Sequence, residues 1–520
     1  MIDDKFIPFP DARFPPPVIS NVLEWPDYFF IALYFAVNIA IGWWVQRKKR
    51  NSGADYFLGG GRVPPWAGAV SYYGTAVSSV SMMALPAYAY ANNWLPMISG
   101  PIGSVRGFVV AYGFMGMIRR LNTPTIYSCL DRRFNRTVRL VVAGLAILLK
   151  VFGRARVIMV LPALALSAAT GINVYLSIAL MGMVTTIYSM EGGFEAVVWT
   201  DVMQVAVKFF GVFLILWYAA AGVDGGLAGI VREGAAAGKF KFVNWDFNFT
   251  ECTGWVMIGF FLGSVFFFIS DQPLMQRALA AKDERDARNT VLMGSILGFP
   301  SNAIFFFVGT ALFAFYQFNP DRLVSGLPND AIVGYFISHE LPHGIIGLII
   351  AGIFAAAMST LSSSLNSVAA IAASDFLGVL RPELEASRGV SLGRWVTLAS
   401  GLFATLMAMW VASLGSTSLW DQAVRLLALF GGPLPGVFAL GMLTRRANSR
   451  GVIIGSVASI AGTIWIQNFT TLHFFFHAFV AFVISLVVGY LASLWPRQPL
   501  DAAKVQGLTI WDLGPVGPGR

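Results

Sequence analysis

Seven polar side chains crowd a short stretch of an otherwise apolar segment, residues 351–378. They are Ser359, Thr360, Ser362, Ser363, Ser364, Asn366 and Ser367. A hydroxyl at membrane depth must find a partner, and six hydroxyls and one amide exceed what helix packing ordinarily uses. Uncharged oxygens suit a hard monovalent cation such as sodium, whereas divalent cations take carboxylates and soft metals take sulfur or imidazole. The stretch therefore predicts a sodium site.

The composition places this stretch in a membrane. Hydrophobic residues make up 56% of the chain and charged residues 12%, and the mean hydropathy is +0.67. The net charge of +9 comes from Lys and Arg clusters in alternate short loops, which is typical of cytoplasmic loops rather than of a nucleic-acid surface. We expect an all-α, multi-pass protein of the cell (inner) membrane, with its N-terminus outside and its C-terminus cytoplasmic.

A requirement of about 20 apolar residues for each span predicts thirteen transmembrane helices. They lie near residues 25–46, 66–91, 97–118, 138–168, 173–190, 196–221, 253–276, 290–316, 344–377, 392–414, 419–443, 452–468 and 473–495. An external segment, 1–24, precedes one transmembrane domain, 25–495, whose core helices cover about 66–443. A cytoplasmic tail, 496–520, follows.

Spans 2 and 7 carry polar and helix-breaking residues. Transporter helices break where the freed backbone groups line a cavity. Span 7 is five helices further along the chain than span 2, which predicts two inverted five-helix repeats, spans 2–6 and 7–11. The interrupting residues are Gly74, Thr75, Ser78, Ser79, Ser81 and Pro86 in span 2, and Gly263, Ser264, Asp271, Gln272 and Pro273 in span 7.

Charged residues inside the predicted spans need partners. Asp201 lies in span 6, where a carboxylate is costly unless it coordinates an ion or bonds nearby hydroxyls or a helix terminus. Buried arginine suits an anionic solute, because its planar fork binds a carboxylate bidentately. Lys150 and Arg154 have another interpretation, as snorkelling groups or partners of Asp201 or Asp421. The intramembrane cations are Arg106, Lys150, Arg154, Arg156 and Arg425.

Other functional classes fit less well. His339, Glu340 and His343 match a zinc-protease pattern, but Pro342 disfavours the helix that zinc binding needs. No histidine lies in a span beside carboxylates, which argues against an enzyme. The polar groups cluster in a few broken helices rather than along a pore, which argues against a channel. A transporter-like sensor without transport stays open.

Five segments resemble the sodium/solute symporter family, which includes sodium/glucose and sodium/sialate carriers. They are residues 55–81, 190–204, 271–288, 355–367 and 441–451. The resemblance implies thirteen helices, a LeuT-type core of five plus five helices in inverted repeats, and sodium-driven alternating access.

The resemblance also implies two sodium sites. The first would take backbone oxygens of span 2 and oxygens of span 9, from Gly74, Val77, Ala356, Ser359 and Thr360. The second, present in some members, would take Asp201, Ser359, Ser362 and Ser363. One or two sodium ions would accompany each solute.

The implied solute is a sugar acid such as sialic acid, or another carboxylate, carried by a monomer. Sialate carriers use an arginine on span 4, here Arg154 or Arg156. Positions where sugar carriers have asparagine and tyrosine hold Ser264 and Phe267, and a cation, Arg425, lies near the position of their glutamine. A neutral sugar is the alternative. The substrate-binding candidates are Thr75, Ser78, Ser79, Ser81, Arg106, Arg154, Arg156, Ser264, Phe267 and Arg425.

Overall fold

The structure is a computed structural model that describes residues 23–47, 53–77, 79–120, 123–251, 253–414, 432–495 and 504–511. Across these residues the chain forms helices and connecting segments, without a β-strand. The α-helices are α1 Trp25–Gln46, α2 Gly53–Leu58, α3 Pro65–Ala76, α4 Ser79–Ala91, α5 Ser99–Gly113, α6 Met115–Arg119, α7 Ser128–Arg133, α8 Arg136–Leu148, α9 Arg156–Thr170, α10 Val174–Ala221, α11 Gly226–Ala236, α12 Gly254–Ser270, α13 Gln272–Leu279, α14 Glu284–Phe318, α15 Ile332–Glu340, α16 Ile345–Ile371, α17 Gly378–Leu380, α18 Pro382–Ser413, α19 Pro433–Leu443, α20 Ser449–Phe469 and α21 Phe474–Ser493.

Seven helices in the described part of the chain are long and apolar enough to cross a membrane, or eight if the bent pair α12 and α13 is one span. Spans 2, 3 and 4 escape this count because each is divided into shorter helices. The predicted number of thirteen stays a prediction. The first half of span 11, residues 419–431, lies outside the described residues, and α19 covers most of its second half.

The longest helix, α10, contains two of the predicted spans. Its 48 residues would extend about 72 Å if straight, more than twice the hydrocarbon thickness of about 30 Å. The chain turns at Gly193, whose φ of 53° and ψ of −155° lie outside the helical region and favour glycine. Spans 5 and 6 are therefore the two arms of α10.

The hydroxyl-rich helix α16 lies at the centre of the molecule. Its most apolar window is 89% buried, against 28–39% for the other six spanning candidates. It packs against α10, α1, α18, α3 and α4. Protein rather than lipid therefore surrounds its hydroxyl groups.

Both predicted breaks are present. Span 2 divides into α3 and α4, with Val77 in an extended conformation (φ −106°, ψ 107°). Span 7 bends by 60° between α12 and α13. This bend is at Asp271, whereas Gly263 and Ser264 lie within a continuous helix.

Two segments of π-helix were not expected from the sequence. They span Leu149–Ala155, in span 4, and Ala372–Leu377, at the end of span 9. A π-turn accommodates an extra residue and changes which side chains share a helix face. The first segment contains Lys150 and Arg154, and so it determines where these cations point.

The zinc-protease-like segment does not form one helix. α15 ends at Glu340, and Leu341 is extended. His339 stacks on Tyr335 with 4.1 Å between ring centroids. His343 lies 3.0 Å from a carboxylate oxygen of Asp27. The two imidazoles therefore have different environments.

Candidate functional site

The break in span 2 lies against the hydroxyl cluster of α16. The Ser359 hydroxyl donates to the carbonyl oxygen of Gly74 at 3.0 Å, and its oxygen also lies 3.3 Å from the carbonyl oxygen of Ala356. Thr360 follows in the chain, and its buried hydroxyl has no hydrogen-bond partner within the described residues. Val77 is the extended residue of the break itself. The structure thus brings together three of the five expected ligand residues of the first sodium site, Gly74, Ala356 and Ser359.

Close approach of the backbone requires glycine at position 74. A Cβ atom there would lie 3.0 Å from Cγ2 of Val205, and near 4 Å from the Cβ atoms of Asp201 and Ser359. Three helices, α3, α10 and α16, therefore meet at Gly74. A larger residue would press first on the Val205 side chain of α10.

Most of the other α16 hydroxyls bond back to their own helix. Ser362 and Ser363 donate to the carbonyl of Ser359 at 3.1 and 2.8 Å. Ser364 donates to the carbonyl of Thr360 at 2.8 Å, and Ser367 to that of Ser364 at 2.8 Å. Such bonds satisfy a hydroxyl donor and leave oxygen lone pairs available as acceptors.

Asp201 is fully buried and paired with an arginine that the sequence did not single out. One carboxylate oxygen accepts from Arg277 Nη2 at 3.0 Å and from Ser71 Oγ at 2.5 Å. The other oxygen has no partner among the described residues. Arg277 also donates to Ser363, whose hydroxyl lies 2.8 Å from that of Thr75.

This arrangement involves residues of the expected second sodium site. Ser363 belongs to the Asp201 network through Arg277. No hydrogen bond joins Asp201 to Ser359 or Ser362 in the described part of the chain. A guanidinium group therefore joins two of the expected ligand residues, Asp201 and Ser363, and the second sodium site stays a prediction.

Arg277 was not among the functional residues predicted from the sequence, because residues 276–288 have the composition of a basic cytoplasmic loop. In the structure α13 is buried, and Arg277 is 2% exposed. One sequence feature could have indicated its burial: a helix that restarts at Gln272 after the break places the residues that follow in the protein interior. Gln276 shows the same effect, since it donates to Asn366 of α16 at 2.8 Å.

The cations of span 4 meet the break of span 7. Asp271 forms an ion pair with Lys150 and another with Arg154, the latter at 3.2 Å. Arg154 also lies 3.4 Å from the carbonyl oxygen of Thr75, in span 2. The suggested pairing of Lys150 and Arg154 with Asp201 is therefore wrong, because the π-segment directs both toward Asp271. Asp421 lies outside the described residues.

Arg154 and Arg156 differ in position. Arg154 touches both breaks. Arg156 is partly exposed, and its Nε atom has no partner within the described ranges. Of the two span 4 candidates, the structure brings only Arg154 to the broken helices.

Arg106 and Ser264 approach each other in a second polar contact. Arg106 Nη1 lies 3.5 Å from Ser264 Oγ, and the guanidinium lies 3.3 Å from the Phe268 ring centroid. Phe267 is half-buried beside Phe268. A cation–π pair contributes about 0.5–1 kcal/mol at an exposed site and more when it is desolvated; Arg106 and Phe268 are partly buried. The pairing joins span 3 to span 7.

The remaining candidates are less well placed or not described. Thr75 is bound to Ser71 and Ser363, in the Asp201 network. Ser79 is buried with its hydroxyl unpartnered in the described structure, and Ser81 is half-buried. The predictions for Ser78 and Arg425 concern positions outside the described residues.

The model of the sodium:solute symporter family matches residues 56–459. This chain belongs to the sodium:solute symporter family. The match includes α3, α10, α13 and α16, and thus every helix that meets at Gly74 and Asp201. It confirms the resemblance carried by the sequence motifs, and it identifies the chain as a sodium-coupled solute transporter, a multi-pass protein of the cell membrane.

Two bacterial relatives of this symporter are similar over most of their length. The sodium/sialic acid symporter NanT of Aliivibrio fischeri is 32% identical over 485 residues, covering 93% of this chain and 96% of that protein. The sodium/sialic acid symporter SiaT of Proteus mirabilis is 33% identical over 470 residues, covering 90% and 94%.

Solved structures agree with the helical architecture of this symporter. A Na⁺-coupled sialic acid symporter in a substrate-bound, outward-open state has a TM-score of 0.84 and 31% identity, and covers 92% of this chain and all of that chain. A nucleobase-cation-symport-1 family transporter has a TM-score of 0.55 at 15% identity, and so indicates the fold alone. The LeuT-type fold is thereby confirmed.

Proposed function

We propose that this symporter carries a sugar acid of the sialic acid class into the cell together with sodium, by alternating access. The observation that carries the proposal is the position of Arg154. Its guanidinium reaches both broken spans, close to where α16 presents its hydroxyls to Gly74. The names of the two bacterial relatives support the same solute class.

The charges at the break favour an anion. Lys150, Arg154 and Asp271 leave an excess of one positive charge, and Arg106 adds another beside Phe268. A buried excess charge is costly until an opposite charge arrives. A carboxylate solute would supply it, whereas a neutral hexose would not.

Sodium would bind between α3 and α16. Its ligands would be the carbonyl oxygens of Gly74, Val77 and Ala356 with the hydroxyl oxygens of Ser359 and Thr360. An ion held by both helices stabilises the arrangement in which they touch, and inward opening that separates them would weaken the site. Release of sodium and release of solute would thus be linked.

The membrane potential supplies part of the driving force whenever transport moves net charge. One charge that moves through 100 mV releases about 2.3 kcal/mol, enough for accumulation of roughly 50-fold per net charge. We propose the topology given by the basic loops, with the N-terminus outside, the C-terminus cytoplasmic and the monomer as transport unit. Residues 25–495 would form the single transport domain.

The test is uptake into proteoliposomes under an inward sodium gradient. Sialic acid, other sugar acids, small monocarboxylates and neutral hexoses would be offered in parallel, with potassium replacing sodium as the control. We expect sodium-dependent uptake of a sugar acid. Uptake of hexose alone would overturn the anionic solute, and uptake of nothing would favour the sensor.

A further inference from the structure

An open cavity lies at the ends of the last helices, outside the sodium and solute sites. It has a volume of about 400 Å³, and its lining in the described structure is Leu443, Thr444, Arg445, Arg446, Tyr490 and Trp511. Two guanidinium groups therefore line it, without a carboxylate among the described residues. Neighbouring like charges repel each other, and an anion between them removes that repulsion. The cavity thus has the charge of an anion site.

A third, buried arginine fixes the segment that carries these two side chains. Arg133 is 5% exposed. It donates to the carbonyl oxygens of Gly441, Thr444 and Ala447 at 3.0, 2.7 and 3.1 Å. These carbonyls lie on both sides of the two lining arginines in the chain. The folded structure, rather than a loose loop, therefore sets where the lining arginines begin.

Part of the C-terminal tail supplies another wall of the cavity. The indole Nε1 of Trp511 donates to the carbonyl oxygen of Leu443, the last residue of α19, at 2.6 Å. The carbonyl oxygen of Trp511 accepts from Arg445 Nη2 at 3.2 Å. The described tail segment, residues 504–511, is therefore bound to α19 at the cavity itself.

The cavity opens at the level where membrane spans end. Asn448 Nδ2 donates to the carbonyl oxygen of Ser493 at 3.0 Å, which joins the start of α20 to the end of α21. Both helices are long and apolar enough to span a membrane. Trp495, two residues beyond Ser493, is 83% exposed. Trp and Tyr are enriched at the depth of lipid headgroups, and Tyr490 and Trp511 give the cavity the same character.

The side chains of the cavity suit a phosphate group that is attached to lipid. A guanidinium fork binds phosphate oxygens bidentately, and aromatic rings beside it suit the boundary between headgroup and acyl chain. The same basic loop has a third arginine, Arg450, which is exposed but does not line the cavity. The loop therefore contains its own control for charge without the cavity.

We propose that this cavity binds the phosphate headgroup of an anionic phospholipid, with Arg445 and Arg446 on the phosphate and the rings of Tyr490 and Trp511 at its boundary. The proposed topology places it at the cytoplasmic leaflet. The site is separate from the sodium and solute sites, so its test does not depend on which solute is carried.

The test is native mass spectrometry of the purified full-length protein in detergent, titrated with phosphatidylglycerol or with phosphatidylcholine. One arginine near a membrane surface changes affinity for anionic lipid by about fivefold. We expect phosphatidylglycerol to bind about 25-fold more tightly than phosphatidylcholine. Arg446→Gln should weaken phosphatidylglycerol about fivefold, whereas Arg450→Gln, the matched control, should change it less than twofold. Soluble sn-glycerol 3-phosphate at the same concentration should leave the lipid bound.

Three results would overturn the proposal. Equal affinity for the two lipids would show that the cavity does not recognise an anionic headgroup. Equal weakening by Arg446→Gln and Arg450→Gln would assign the attraction to the net charge of the loop. Displacement of the lipid by sn-glycerol 3-phosphate would assign the cavity to a soluble phosphate. Arg446 is exposed, so we expect its replacement to leave the fold intact, and the comparison of lipids on the wild type decides without any variant.

Discussion

The hydroxyl of Ser359 lies 3.0 Å from the carbonyl oxygen of Gly74. This contact joins the end of α3, where span 2 breaks, to the middle of α16, the most buried of the described spanning candidates. Backbone and side-chain oxygens converge there. A change to either partner should therefore alter how the protein responds to sodium.

Removal of a hydroxyl at this point should weaken sodium activation. We expect Ser359→Ala and Thr360→Ala each to raise the sodium concentration for half-maximal uptake by about tenfold or more, because one ligand is worth about 1.5–3 kcal/mol when the partner is charged. Ser367→Ala is the matched control, since its hydroxyl bonds back within α16. Equal sodium dependence in the wild type and both variants would refute the assignment.

Gly74→Ala should damage the site by steric means. The added Cβ would lie 3.0 Å from Val205, and overpacking of this kind costs about 1–3 kcal/mol. We expect weaker sodium activation, with partial recovery in Gly74→Ala/Val205→Ala. Gly298→Ala is the control, because a Cβ atom at that position would meet no neighbouring atom within 4 Å. Normal sodium activation in Gly74→Ala would show that close approach is not required.

The two arginines of span 4 should behave differently. Arg154→Ala should abolish uptake of an anionic solute, since it removes the cation that reaches both breaks. Arg156→Ala should keep most of it. The measurement is initial uptake rate at matched protein in the membrane. Loss of uptake in Arg156→Ala with retention in Arg154→Ala would reverse the assignment.

Asp271 should matter for stability more than Lys150. Asp271→Asn leaves two buried cations without their shared carboxylate, and breaking a buried ion pair costs about 3–5 kcal/mol. Lys150→Met leaves the Arg154–Asp271 pair intact and should cost less. Equilibrium unfolding in mixed detergent micelles measures both. A smaller loss for Asp271→Asn would contradict the shared pairing.

Local chemistry explains what the sequence could predict. Gly74 and the polar residues after it predict a broken span because they interrupt an apolar helix. The side-chain oxygens of α16 lie in one short stretch of sequence, and this clustering predicts a sodium site. The residues predicted to break span 7 include Asp271, and the break occurs at Asp271. Each of these features depends on residues that are close in the chain.

Contacts between residues that are distant in the chain could not be predicted from the sequence. Asp201 and Arg277 are 76 positions apart, and neither indicates the other. Lys150 and Arg154 point to Asp271 because span 4 contains a π-segment, and no composition signal distinguished that segment from an α-helix. The expected second sodium site omitted Arg277 for this reason, although its guanidinium contacts both Asp201 and Ser363.

The most direct test of coupling is accumulation of sialic acid in proteoliposomes with sodium either in an inward gradient or equal on both sides. We expect accumulation above the external concentration with the gradient, only equilibration without it, and loss of gradient-driven accumulation at limiting sodium in Thr360→Ala. Accumulation that ignores the sodium gradient, or that Thr360→Ala leaves intact, would contradict sodium-driven transport through the site between α3 and α16.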